Sequence, residues 1–114
     1  MMLVKLYKAL GYALSGLKAA FTSEVAFRLE VALAAILIPA AMWLGQSALQ
    51  KAILISSVLL VLMIELINTA IETLVDRLSP DWHPLSKKAK DVASAAVLLA
   101  IVQMIVVWGL VVWG

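Results

Sequence analysis

Over residues 1–21 the apolar positions recur with a helical period. Leu3, Leu6, Leu10, Leu14, Leu17 and Phe21 share one side, and Lys5, Lys8, Tyr12, Ser15 and Lys18 share the other. That basic, amphipathic pattern predicts a helix lying in the headgroup layer of a membrane. Thr22-Ser23 predicts a break and an N-cap, with Glu24 in the first turn of the next helix, where the dipole favours an anion. Three apolar runs follow. The first is drawn at 29–44, short for a hydrocarbon core of roughly 30 Å, with Pro39 inside it and Trp43 at the far interface. Gly45-Gln46-Ser47 reads as a tight turn. The second run is drawn at 52–75. Ser79-Pro80-Asp81-Trp82-His83-Pro84 is a polar, proline-bracketed loop that cannot continue a helix. Ser86 is the expected N-cap of a third long helix, whose apolar part is drawn at 92–113 with Trp108 and Trp113 near its end.

The second run is not uniformly apolar. Glu65, Asn68, Glu72 and Asp76 follow one another at spacings of three, four and four. At roughly 100° per residue they fall within about 80° of one helical face. Carboxylates entering a membrane in file are costly, and such residues mark functional sites. The bland alternative is that they are polar glue between helices.

Composition turns the three runs into a class. The apolar fraction is 65%, charged residues make up 14%, and the mean hydropathy is +1.08. Too little polar surface is present to cover a water-soluble globule of 114 residues. The expectation is a single all-α membrane domain over 1–114. The net charge of +2 argues for no nucleic-acid partner, and the absence of cysteine excludes disulfides and thiolate chemistry. Lysines at 5, 8 and 18 interrupt the first apolar stretch, so no cleaved leader is expected. Orientation follows the basic residues. Lys5, Lys8, Lys18 and Arg28 precede the first span; Arg77, Lys87, Lys88 and Lys90 lie in or beside the second loop; only Lys51 is on the other side. The N-terminus and the 76–90 loop are therefore expected in the cytoplasm and the C-terminus on the periplasmic side.

That orientation orders the stripe by depth. Glu72 lies about 6 Å and Glu65 about 16 Å below Asp76 at the helical rise. A carboxylate pair with an amide is a hard-oxygen set of the kind Mg²⁺ takes together with substrate phosphates, and a desolvated carboxylate suits a general base for an alcohol. Glu24 also reads as an i,i+4 partner of Arg28, and Glu30 as a flank of the first span. Lys87, Lys88 and Lys90 read either as the topology signal or as an anion site at a helix start. Asp91 and Ser94 face the same way. His83, the only histidine, has no companion ligand, so a zinc site or a catalytic triad is unsupported. Gly11, Gly16 and Lys18 miss the P-loop pattern, which excludes a Walker A site. Ala89, Ala93, Ala96 and Ala100 form a small-residue stripe suited to close helix packing. Three short spans have little room to enclose a polar site, so oligomerisation is expected to complete it.

These residues resemble the bacterial diacylglycerol kinase family. The segments Ala19-Ala20-Phe21, Glu24-Val25-Ala26-Phe27-Arg28-Leu29-Glu30, Ile55-Ser56-Ser57, Glu65-Leu66-Ile67-Asn68-Thr69-Ala70-Ile71-Glu72, Val75-Asp76-Arg77 and Ala89-Lys90-Asp91-Val92-Ala93-Ser94-Ala95-Ala96-Val97 carry the resemblance, which runs without gaps from about Lys5 to Trp113. It implies an ATP-dependent, Mg²⁺-requiring lipid kinase of the bacterial inner membrane that converts diacylglycerol to phosphatidic acid. It also implies a homotrimer, with three transmembrane helices and a surface helix per chain. Glu65 would be the base that takes the lipid hydroxyl proton, with Asn68 in the catalytic set. Glu24 and Glu72 would hold the metal bridging the ATP phosphates. Lys90 and Asp91 would contact the nucleotide, Tyr12 and the loop Asp81, Trp82 and His83 would close around it, and Lys5 would lie near the phosphates. Ser94 and the segment from Ala26 through Arg28 to Glu30 would line the lipid side. Ser23 and Leu14 depart from the family pattern, which has Asn and Trp there. Undecaprenol kinase, on the same fold, is the alternative in the same class; the Val25-Ala26-Phe27-Arg28 segment after Glu24 favours diacylglycerol, because the undecaprenol branch carries an Arg-Asn pair there. A small ion- or proton-conducting oligomer, with Glu65 and Glu72 lining a pathway, is the alternative from another class, and it leaves the Lys87–Asp91 cluster without a partner.

Overall fold

The computed structural model describes all residues from Met1 to Gly114 as four helices: α1 (Met2–Ser23), α2 (Val25–Leu44), α3 (Ala48–Leu78) and α4 (Pro84–Trp113). Helices α2, α3 and α4 are each long and apolar enough to cross a membrane. They pack as an antiparallel bundle with α3 in the middle, against α4 most extensively and against α2 next. Helix α1 touches the bundle marginally, and Ala20 is its single buried residue.

The helix ends show where local sequence cues were overridden. Thr22 and Ser23 do not cap α2. Their hydroxyls donate back to the carbonyls of Lys18 and Ala19 in the last turn of α1. The break is one residue long, at Glu24, whose backbone is extended (φ −115°, ψ 112°). Glu24 is thus the N-cap position of α2 rather than a first-turn residue. The expected Arg28–Glu24 pair does not form either. Arg28 reaches back, and its Nη1 donates to the carbonyls of Phe21 (2.8 Å) and Thr22 (3.1 Å), orphan acceptors at the end of α1. Ser47 caps α3 by accepting from the Gln50 amide (3.1 Å). At α4 the cap is His83, not Ser86: His83 Nδ1 accepts from the Leu85 amide at 3.1 Å, and Pro84 occupies the first helical position. Proline there costs nothing, because its missing N–H has no helical acceptor anyway.

The bundle interior is built on small side chains. Ala34 and Ala41 of α2, and Ala93 and Ala100 of α4, are buried around Leu54, Val58 and Val61 of α3. Without a hydrophobic drive inside lipid, close approach and interhelical hydrogen bonds hold such helices together. One such bond is present: Trp108 Nε1 donates to Ser57 Oγ at 3.1 Å, and the same hydroxyl donates to the Leu54 carbonyl at 2.7 Å. Ser57→Ala should cost about 1 kcal/mol of unfolding free energy in mixed micelles, and a Trp108→Phe, Ser57→Ala double variant little more than either single change.

The opposite face of α3 is uncovered. Leu49, Ala52, Ser56, Leu59, Met63, Ile67, Ala70 and Leu74 recur at steps of three or four along its length, and all are exposed.

Candidate active site

One cleft of about 330 Å³ opens between α2, α3 and α4, lined by Glu24, Ala26, Glu65, Asn68, Glu72, Ser94 and Val97. The helical period of α3 puts Glu65, Asn68 and Glu72 on the wall facing its neighbours. The one-residue break before α2 brings in Glu24, and α4 supplies Ser94. Because Arg28 is spent on α1, Glu24 makes no ion pair. Asn68 Nδ2 donates to Glu72 Oε1 at 3.0 Å and so orients that carboxylate. Asn68 Oδ1 is buried and has no hydrogen-bond partner in the chain. An acceptor left in this state costs free energy unless something else satisfies it.

Burial falls steadily along the stripe. Glu65 and Asn68 are 6% and 8% exposed, Glu72 is half-buried, and the Asp76 side chain is 66% exposed. The Glu65 end is therefore enclosed by protein, and the Asp76 end is open.

Asp76 belongs to a second, wetter cleft of about 280 Å³, formed by the end of α3, the Ser79–His83 loop and the start of α4. Asp81, Trp82, His83, Lys87, Lys90 and Asp91 line it. Two ion pairs brace it. Lys90 Nζ pairs with Asp76 across the loop, and Lys87 Nζ with Asp91 Oδ2 at 2.6 Å along α4. Both pairs are substantially exposed, which makes them weak holders of the fold and easily exchanged for another partner. Ser79 Oγ also donates to the Asp81 carbonyl at 3.0 Å, tightening the loop.

The residues singled out from sequence thus divide between the two clefts. Glu24, Ala26, Glu65, Asn68, Glu72 and Ser94 share the deeper one, and Asp81, Trp82, His83, Lys90 and Asp91 share the outer one. Four are in neither. Lys5 and Tyr12 are exposed on α1. Arg28 is turned toward the end of α1. Glu30 lies beside a separate apolar cavity walled by Leu33, Ala34, Val58 and Ile101, with Oε1 buried and unpaired. Sequence reasoning placed Asp76 on the stripe but missed it as the partner of Lys90. The charge pattern contained both ions, and the loop geometry that joins them is tertiary.

The chain does not build a metal cage by itself, since no three Asp, Glu, His or Cys side chains converge. The donor set of the deeper cleft does fit Mg²⁺, which characteristically takes one or two carboxylates and completes its shell with substrate phosphates and water. Glu24, without an ion pair, and Glu72, oriented by Asn68, are two such carboxylates on one cleft.

Comparison with known proteins agrees with the geometry. Residues 11–112 match the family model described as prokaryotic diacylglycerol kinase. The diacylglycerol kinase of Escherichia coli is 43% identical over 110 residues, which is 96% of this chain and 90% of that protein. That of Haemophilus influenzae is 48% identical over 107 residues, 94% and 91% of the two chains. That of Pseudomonas aeruginosa is 46% identical over 112 residues, 98% and 91%. Matches of this extent leave no large segment of either chain unaccounted for, and the protein is a member of the prokaryotic diacylglycerol kinase family of enzymes.

Proposed function

We propose that the protein transfers the γ-phosphoryl group of ATP to the hydroxyl of diacylglycerol, producing phosphatidic acid and ADP at the cytoplasmic face of the bacterial inner membrane. The observation that carries this reading is the enclosure of Glu65 at the closed end of a carboxylate-lined cleft whose other end opens beside a polar, loop-walled one that holds Lys87 and Lys90 with three aspartates. A water-soluble donor and a membrane-bound acceptor need such a division of depths.

Glu65 accepts the proton of the lipid hydroxyl as its oxygen bonds to the γ-phosphorus, and the bond to the β–γ bridging oxygen breaks to release ADP. Asn68 holds Glu72 and offers its unpaired Oδ1 to the incoming groups. Glu24 and Glu72 hold Mg²⁺, which supplies neutralisation of charge on the ATP phosphates when bound. Lys90 exchanges its exposed Asp76 partner for a phosphate oxygen, and Asp91, Tyr12 and the Asp81, Trp82 and His83 loop surround the rest of the nucleotide, with Lys5 near the phosphates. Ala26, Arg28, Glu30 and Ser94 border the lipid. Phosphoryl transfer demands mainly positioning and charge neutralisation, and these groups supply both.

The enzyme works as a homotrimer, and α1 lies on the membrane surface. The support is the uncovered stripe of α3, whose steps of three and four suit a seam between parallel copies, and the near-complete exposure of α1 outside the bundle.

The test is an assay of the purified chain with labelled ATP and Mg²⁺, supplied in parallel with diacylglycerol and with undecaprenol. Label is expected in phosphatidic acid. Transfer to undecaprenol alone would reassign the acceptor, and transfer to neither would sink the kinase reading.

A further inference from the structure

Gln103 has no place in the chemistry above and is costly where it stands. It sits 11 residues after Val92 and 10 before Trp113, so either end of the apolar part of α4 is about 15 Å away. Its depth is the middle of the hydrocarbon. It is exposed, and its amide makes no hydrogen bond within the chain. It lines an open groove of about 520 Å³ between α3 and α4, together with Ser56, Ser57, Leu59, Met63 and Val107. The Ser57 hydroxyl is already engaged by Leu54 and Trp108. Ser56 is exposed and its hydroxyl makes no hydrogen bond either.

An amide in hydrocarbon without partners costs several kcal/mol, and acyl chains supply neither donor nor acceptor. A headgroup cannot reach the mid-plane without thinning the bilayer. A protein helix can. We infer that this groove is a contact between copies of the chain: it receives α3 of a second copy, and the Gln103 amide, with Ser56, supplies hydrogen bonds across that boundary. The two groups are complementary, since the amide both donates and accepts and the hydroxyl does the same. The groove is also continuous with the uncovered α3 stripe, because Ser56, Leu59 and Met63 belong to both. The inference rests on the homotrimer reading and adds to it a specific polar clasp at the centre of the membrane.

The chain has no cysteine, so single introduced thiols report proximity directly. Gln103→Cys chains are co-reconstituted in bilayers with chains carrying Ser56→Cys, Leu59→Cys or Met63→Cys, and oxidised. Because each chain has one thiol, a mixed product can form only between copies. Mixed dimers are expected for at least one pair, and none for a Gln103→Cys, Trp43→Cys pair, since Trp43 lies toward the end of α2. In parallel, subunit dissociation of Gln103→Leu is followed in mixed micelles. It is expected to be favoured roughly 30-fold, about threefold for each of three contacts. Wild-type chains that are monomeric by light scattering would overturn the assembly reading itself. A stable wild-type oligomer without mixed dimers, or one whose Gln103→Leu form dissociates no more readily, would overturn the clasp alone.

Discussion

Glu65→Gln is expected to fold, to bind Mg-ATP as the wild type does, and to lose turnover by roughly 10²- to 10⁴-fold, the range over which a positioned general base contributes. The substitution keeps the side chain's shape and its place beside Asn68 in the deeper cleft. It removes the basicity needed to take the hydroxyl proton, while the amide oxygen can still accept a hydrogen bond. Neutral glutamine is also better tolerated than a carboxylate at a position 6% exposed, so stability should not fall. The informative measurement separates binding from chemistry: nucleotide affinity by calorimetry, and the phosphoryl-transfer step by single-turnover assay with diacylglycerol in excess. A variant that loses kcat with unchanged nucleotide affinity has lost an interaction made in the transition state. Loss of Mg-ATP binding instead would move Glu65 into the metal set and leave the base unassigned.

Glu72→Gln has the second-largest expected effect, and it should fail differently. The Asn68 Nδ2 contact at 3.0 Å is made to Oε1, and glutamine retains an oxygen there. The hydrogen bond can persist while the charge is gone. A metal's electrostatic contribution to transition-state charge is several kcal/mol, so kcat/KM should fall on the order of 10³-fold. The Mg²⁺ concentration for half-maximal nucleotide binding should rise in the same variant. Asn68→Leu leaves both carboxylates but frees Glu72 from its orienting donor, and a loss of roughly 10- to 100-fold in metal affinity is expected, as for other groups that position a ligand without touching the ion. If Glu72→Gln binds Mg-ATP normally and loses only turnover, the metal reading of Glu72 is wrong.

On the proposed reading, the two clefts keep lipid and nucleotide apart until they react. The outer one is walled by a loop that α3 and α4 hold between them, through the Lys90–Asp76 pair and the His83 cap. Both are local, exposed contacts that a bound polyanion can replace at little cost. The deeper one is built from helix faces and is rigid by comparison, as a reacting geometry requires.

Much of this was legible in the residues. Three runs of apolar sequence can only be membrane-crossing helices in a chain this poor in charge, because lipid leaves the backbone no partner except itself. The acidic stripe is equally direct, since four side chains at steps of three and four must share a face of any helix. Protein cover along the stripe falls from Glu65 to Asp76; the depth order drawn from the basic residues is a separate expectation. Helix ends were harder. Thr22, Ser23 and Ser86 are good caps by type, yet each lies inside a helix: Thr22 and Ser23 bond backward, and Pro84 starts α4 three residues early with His83 as its cap. Local propensities of similar size competed there, and small differences in tertiary fit chose among them.

The sequence by itself determined the class of molecule, its three spans, and which side chains face one another along α3, because helical periodicity and the cost of polar groups in lipid act through neighbours three and four residues apart. Tertiary structure alone decided that Arg28 closes the end of α1 and leaves Glu24 without an ion pair, that Asp76 is bound to Lys90, and that the candidate residues occupy two clefts rather than one. Those outcomes depend on contacts between different helices, whose relative placement is set by packing around Leu54, Val58 and the small residues of α2 and α4, and no periodicity within a single helix encodes it.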